Sequence, residues 1–386
     1  MLEKALTGTK RYWAWVFTLV ALIAAGFVCW LWQYRTGLSI TGMSRDVSWG
    51  FYIAQLTFLA GVAASGVMLV LPCYLHDQKV FSPLVIWGEF LAVAAIVSCM
   101  LFALADIGQP ARVFNILLYP APSSIVFWEL VVLPGYLILN LITGWMMLQA
   151  ENKRDQPPSW IRILIYISIP FAVCLHTVTA FLYAGLPGRH FWLTAIMAPR
   201  FLASAFCSGP SLVILILLIL GKSKWIEPDK KALNTLILIL TYAMVLNVFF
   251  YAMEFFTAFY SNIPGLTETL RYFYVGVQGH CKLTALMWIS ALFSVMGLIL
   301  LIIPKIRHNE KTLAIALIIV ILGIWIDKGL ALVIGGFIPN LVGHITEYWP
   351  TLPEICIGLG VYSAGALIAT FLFKVVIAVR MEAAGA

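Results

Sequence analysis

Charge is scarce in this chain. Of its 386 residues only 11% are Asp, Glu, Lys or Arg, whereas 62% are hydrophobic, and the mean hydropathy is +0.97. Soluble domains carry about 25% charged residues. The composition therefore excludes a water-soluble fold and reads as an integral membrane protein. Histidine is scarcer still. Only His176 lies well inside an apolar run; His280 is at a boundary, and His76, His190, His308 and His344 fall in loops. A membrane b-type haem usually takes two facing histidines, so no haem is expected. The seven cysteines (Cys29, Cys73, Cys99, Cys174, Cys207, Cys281, Cys356) show no C-x-x-C and no Cys/His ligand spacing. No iron–sulfur cluster or other metal site is expected, and the cysteines read as small packing residues. There is no Gly-rich nucleotide loop. The first apolar run, from Trp13, is long and lacks an A-x-A site, so it does not read as a cleavable signal.

What the chain has in abundance is apolar runs of helix length. Membrane-spanning helices need about 20 residues, while barrel strands would be about 10 with strict alternation, which is absent. Ten spans are expected, so the fold class is all-α and transmembrane: Trp13–Leu31, Trp49–Leu71, Leu84–Ala105, Ser124–Leu148, Ile163–Tyr183, Phe201–Leu220, Leu233–Tyr260, Leu283–Ile303, Leu313–Ile334 and Ile355–Val379. Of the 24 Lys and Arg, sixteen fall on the side of the termini, among them Lys4, Lys153, Lys222, Lys231, Lys305 and Arg380. Seven fall on the other side: Arg35, Arg45, Arg112, Arg189, Arg200, Arg271 and Lys282. The positive-inside rule then makes both termini cytoplasmic, in a multi-pass protein of the cytoplasmic membrane. The net charge of +7 is topological in this reading and does not point to nucleic acid.

A faint repeat divides the chain. Phe58-Leu-Ala-Gly-Val-Ala-Ala-Ser-Gly66 in span 2 matches Phe201-Leu-Ala-Ser-Ala-Phe-Cys-Ser-Gly209 in span 6. Small residues at this spacing let lipid-embedded helices approach closely. Two four-helix bundles are expected, spans 2–5 and 6–9, related by an axis along the membrane normal, with spans 1 and 10 peripheral. The division is residues 1–48 (first helix and outer loop), 49–184 (first bundle, with the candidate site), 185–334 (second bundle) and 335–386 (outer loop and last helix). Outer loops rich in Gly, Pro and aromatics, such as 107–122 and 185–200, read as ordered docking surfaces and place a partner on that face.

The few intramembrane polar residues gather at one depth. At 1.5 Å per residue, Gln55 lies roughly 9 Å below the outer surface, Glu129 about two turns in, and His176 about 10 Å in. Glu254 is at similar depth in the second half, and Asp106 and Arg112 cap spans 3 and 4. A carboxylate within the bilayer costs roughly 2.5–3.5 kcal/mol at a helix centre, so it is normally there for function. An amide, an imidazole, carboxylates and aromatics suit a quinone head group, whose reduction needs two protons and for which His is the natural carrier. The candidates for this chemistry are His176, Glu129, Asp106 and Arg112. Those for binding the quinone are Trp49, Tyr52, Gln55, Trp128, Glu129 and His176. A structural ion pair of Glu129 with Arg112 or Asp106 is the alternative. Glu89, deeper on the inner side, Glu129 and Glu254 are proton-path candidates, with a pair of Glu89 with Lys79 or Tyr74 as the alternative. Asp327 and Lys328 read as a local charge pair.

Trp49-Gly50 through Gly66 follows W-G-x-x-I-A-x-x-x-F-L-A-G-x-x-A-x-G, and Gly108 through Ser123 follows G-x-P-x-R-x(4)-L-x-x-P-x-x-S. In these motifs, over nearly its whole length, the chain resembles the NrfD/polysulfide-reductase membrane-subunit family. His176 through Arg189 and the ten spans are most similar to the Dsr-type (DsrP) members, with hydrogenase-linked relatives the nearest alternative. The resemblance implies a menaquinone/menaquinol-interacting subunit without its own haem or iron–sulfur cluster, which completes no reaction alone. It implies as partners an extracytoplasmic ferredoxin-like iron–sulfur subunit, a multihaem cytochrome c, and a second membrane cytochrome b module with a cytoplasmic iron–sulfur subunit, in sulfur or sulfate metabolism. A secondary transporter whose intramembrane acids bind an ion is the runner-up from another class.

Overall fold

The computed structural model describes residues 2–226, 228–340 and 342–385. Among these the fold is helical, with no β-strand. Ten helices are long and apolar enough to cross a bilayer: α1 (Lys10–Ile40), α2 (Phe51–Leu75), α3 (Lys79–Asp106), α4 (Ile125–Lys153), α5 (Ser159–Ala184), α6 (Met197–Lys222), α7 (Lys230–Tyr260), α8 (Thr284–Ile302), α9 (Glu310–Gly335) and α10 (Leu352–Glu382). They coincide with the ten expected spans. Most run a few residues past the apolar stretch, because good helix formers and caps carry the backbone on. Thr9, Asp229 and Asn309 each accept backbone N–H groups at the starts of α1, α7 and α9. Lys4 pairs with Glu382, and Arg380 with Glu151 at 2.9 Å. Both chain ends and the α4–α5 turn therefore share one face, the termini face. The loops before α2, α4, α6, α8 and α10 lie on the opposite, far face.

Burial ranks the helices. α2 is apolar all round and buried along nearly its whole length, whereas α1 is mostly exposed on its flanks. A helix with no polar face belongs in the interior of a bundle. α2 contacts α3, α6 and the π-helical turn Trp325–Ala331 of α9; α4 lies between α3 and α5; α6 contacts α7 and α9; α8 lies against α9. α1 and α10 pair with each other, and α10 rests on α3. The two copies of the repeated motif face each other across the α2–α6 contact. A Cβ on Gly61 would lie 2.9 Å from Ser208 Oγ, and one on Gly209 would lie 2.9 Å from the Ser65 backbone nitrogen. α1 meets α10 the same way: a Cβ on Gly26 would lie 2.8 Å from Gly360 Cα.

The far face is closed by a pinned loop. Buried Glu354, at the start of α10, accepts from Gly42 N (2.7 Å), Thr351 N (2.8 Å) and Tyr348 Oη (2.6 Å), and Tyr348 Oη in turn accepts from Phe51 N at 2.7 Å. These bonds fasten the loops before α2 and α10 and fix the height at which α2 enters.

Candidate polar site between the two halves

α5 presents Tyr183, Thr179 and His176 along one face, at successive turns from the far face inward. All three are buried. Tyr183 Oη is hydrogen-bonded to the Thr57 hydroxyl of α2. Thr179 Oγ1 donates to Glu129 of α4, at 2.9 Å to one carboxylate oxygen and 3.2 Å to the other. His176, 1% exposed, has no partner for either ring nitrogen. Buried polar groups are nearly always hydrogen-bonded. A carboxylate with one hydroxyl donor and an imidazole with two open nitrogens form an incomplete site, completed by a ligand or ordered water.

An aromatic wall closes the far-face side of this row. Trp49 stacks on Trp192 (centroids 5.6 Å apart, planes 29° apart) and meets Tyr183 edge-on at 5.6 Å; Phe337 sits edge-on to Trp192 at 5.1 Å. Trp192 Nε1 donates to Leu332 O at 2.7 Å, and the Arg189 guanidinium lies 4.5 Å above the Phe337 ring. An open cleft of about 360 Å³, lined by Trp49, Arg189 and Phe337 with the 186–188 turn, reaches this wall from the far surface.

Two further polar clusters lie on other faces of α2 and tie it to its remaining neighbours. Tyr52 Oη donates to Gln33 Oε1 at 2.7 Å, and Gln33 Nε2 donates to Ala105 O at 2.7 Å, which ties α1 and α2 to the end of α3. Asp106, the next residue, keeps a buried Oδ1 without a partner. Gln55 accepts from Trp325 Nε1 (2.7 Å) and Tyr362 Oη (2.6 Å), so its carbonyl is committed to α9 and α10 while its amide nitrogen is open.

Several expectations are corrected. The pair of Glu129 with Arg112 or Asp106 is not formed: Glu129 is bonded to Thr179, and Arg112 is exposed in a 3₁₀ turn and, among the described residues, makes no ion pair. Trp128 does not join Glu129 in the site. Successive helical residues point about 100° apart, so Trp128 is 44% exposed and its Nε1 donates to Pro122 O at 2.8 Å. Glu89 pairs with neither Lys79 nor Tyr74. It is 2% exposed, bonded to Thr143, with Oε2 open beside Gly144. Asp327 and Lys328 are not a pair either, because consecutive residues on a helix face different neighbours. Asp327 accepts from Arg200 at 2.7 and 2.9 Å, and the other arm of Arg200 holds Glu254. Lys328 lies over the Phe201 ring at 4.4 Å, and its amine donates to Phe201 O at 3.4 Å. Glu254, expected in one layer with the first-half acids, thus belongs to an Arg200–Glu254–Asp327 triad joining α6, α7 and α9, with Arg200 and Asp327 buried and Glu254 half-buried. A cavity of about 360 Å³ lined by Glu254, Thr257 and Phe191 opens beside it.

Sequence reasoning missed Arg200, Thr179, Thr57 and Tyr183. A signal was present for two of them. Thr179 and Tyr183 stand at i+3 and i+7 from His176, the spacing of one helix face.

Ten bilayer-length helices around a buried polar row define a multi-pass membrane protein with a site inside the bundle. Residues 39–339 match the family described as Polysulphide reductase, NrfD. The chain belongs to this family. It is 25% identical over 397 residues to a putative dimethyl sulfoxide reductase membrane subunit of Halobacterium salinarum, covering 92% of this chain and 88% of that protein. It is 23% identical to a selenate reductase subunit of Mesobacillus selenatarsenatis (86% and 84% covered). It is also 23% identical to the Hdr-like menaquinol oxidoreductase integral membrane subunit of Archaeoglobus fulgidus (89% and 88% covered).

Proposed function

We propose that this chain is the menaquinone/menaquinol-interacting membrane subunit of a multi-subunit redox complex. Its relatives, named as subunits of reductases and of a menaquinol oxidoreductase, support that class. The observation that carries the reading is the incomplete row on α5: Glu129 held by Thr179 alone, with His176 one turn deeper and both ring nitrogens open. Menaquinone, when bound, would supply two-electron, two-proton redox chemistry. The chain's residues fit its needs. His176 and Glu129 hold and move protons, Thr179 orients Glu129, and the Trp49–Trp192–Phe337 wall excludes water. Glu89 then serves as a step for protons from the termini face.

The far face is extracytoplasmic in this reading, both termini are cytoplasmic, and electrons are exchanged with an extracytoplasmic iron–sulfur subunit docked over the far-face loops. The Dsr-type similarity of the 176–189 segment points further, to sulfur or sulfate metabolism. A multihaem cytochrome c and a second membrane cytochrome b module with a cytoplasmic iron–sulfur subunit would be the other partners.

Quinone turnover by the assembled complex tests the site. His176→Leu or Glu129→Gln should slow it at least tenfold, about 1.4 kcal/mol of barrier, while assembly survives. Glu89→Gln should leave quinone binding intact and lower only turnover or proton uptake. Native rates in both far-side variants would mean the site has been misplaced and the polar row is structural.

A further inference from the structure

α1 and α10 run antiparallel and touch backbone to backbone. A Cβ on Gly26 would meet not only Gly360 Cα but also the carbonyl oxygen of Cys356, at 3.0 Å. Cys29 lies three residues beyond Gly26, and Cys356 four residues before Gly360. Because the helices are antiparallel, both steps lead toward the far face, by about 4.5 and 6 Å at 1.5 Å per residue. The two side chains therefore lie at one level across the helix contact. Both are free and only partly buried, in contrast to Cys73, Cys99 and Cys207, which are buried. Helix backbones this close satisfy the approach a disulfide needs, with Cα atoms about 4.4–6.8 Å apart. An apolar groove of about 230 Å³ between α1, α3 and α10 runs along the same glycine contact, walled by Phe27, Trp30, Leu101 and Val361 and floored by Gly26 and Gly360. Phe27 in its wall is 55% exposed, so the groove opens sideways to the apolar phase.

We propose that Cys29 and Cys356, both partly exposed on the flanks of their helices, are a redox-active thiol pair that closes to a disulfide across α1 and α10, with a lipophilic quinone from the surrounding apolar phase as the oxidant. Two S–H bonds break and one S–S bond forms. The thiols lose two electrons and two protons, and the quinone takes up both to become quinol. In the closed state α1 is covalently fastened to α10 one turn from their glycine contact; in the open state only packing holds it. The pair is separate from Glu129 and His176, so its test stands apart from the quinone-turnover test of that site.

The experiment uses the full chain in membranes under nitrogen, treated with decylubiquinone, whose fully substituted ring does not add thiols. Remaining thiols are then blocked with N-ethylmaleimide and the unreduced peptides are analysed by mass spectrometry. The expected result is a linked Cys29–Cys356 peptide, loss of two alkylatable thiols and one quinol formed per link, all restored by a phosphine reductant. Cys29→Ser, a near-isosteric change, should give no link and a fully alkylated Cys356. Equal alkylation of both thiols with and without quinone would overturn the proposal. So would linkage by copper phenanthroline but not by quinone, or a link from Cys356 to another cysteine in the Cys29→Ser chain.

Discussion

Arg200 is the residue whose loss should be felt most. It is 5% exposed and carries two carboxylates, Asp327 at 2.7 Å and Glu254 on its other arm. Arg200→Met removes the cation and leaves two acids within a few ångströms of each other. Removing one partner of a buried pair costs about 3–5 kcal/mol, chiefly because a charge is stranded, and here two are stranded. A kcal/mol shifts the melting point of a 150–250-residue domain by about 2–4 °C, and of a longer chain by less. At about 1.2 °C per kcal/mol for a chain of this length the expected loss is about 4–6 °C. The assay is the apparent melting temperature in detergent, read from tryptophan emission at one fixed scan rate, because unfolding of such a chain is a rate process. The decisive comparison is the triple change Arg200→Met, Glu254→Gln, Asp327→Asn. With no charge left to strand, it should recover most of the loss. If the single variant melts with the native chain, or the triple melts below the single, the triad is not held by charge compensation.

Three further outcomes follow from other parts of the molecule. Gly360→Leu should push α1 off α10 and lower the apparent melting temperature, while a leucine at the open Gly279 turn, where a Cβ meets nothing within 4 Å, should affect packing little despite its backbone strain. On the far face, burial acts against the charge of Glu347, but hydrogen bonds from Lys282 N, His280 and Tyr272 outweigh it and hold its carboxyl below the usual range. A depressed carboxyl stabilises above its unfolded value and stops doing so as pH falls through its folded value. The melting difference between the native chain and Glu347→Gln should therefore be present at neutral pH and vanish only below the ordinary glutamate value of about 4.3; a difference that grows on acidification would refute it. Cysteine tags at 222–231 should react only from the cytoplasm, and tags at 185–190 only from outside; the reverse pattern would remove the case for an external electron partner.

The spans were legible because each is a bilayer-length apolar run, and hydropathy alone finds such runs. Their ends were less so. Arg200 fell outside the expected sixth span because hydropathy stops at Phe201, yet α6 begins at Met197 and carries Arg200 into the bundle. An acid in each of the seventh and ninth spans did require a cation, but which cation reached them was a tertiary fact. Asp327 and Lys328 misled for a related reason: adjacency in the chain looked like adjacency in space, which a helix denies. His176, Glu129 and Glu89 were singled out as polar residues in apolar surroundings, and all three are buried. Thr179 and Thr57 were invisible because a threonine in a membrane helix ordinarily bonds its own backbone, and both hydroxyl oxygens also lie close to a carbonyl of their own helix, 2.8 Å from Leu175 O and 2.7 Å from Ile53 O.

The facing glycines and serines of α2 and α6 have a mechanical consequence. With Gly61 against Ser208 and Gly209 against the Ser65 backbone, α2 and α6 approach almost backbone to backbone along this seam. Tilting one half against the other would either drive backbone into backbone or open a void along the most deeply buried helix. Transport by rocking needs a hinge at this place, and the molecule has a weld.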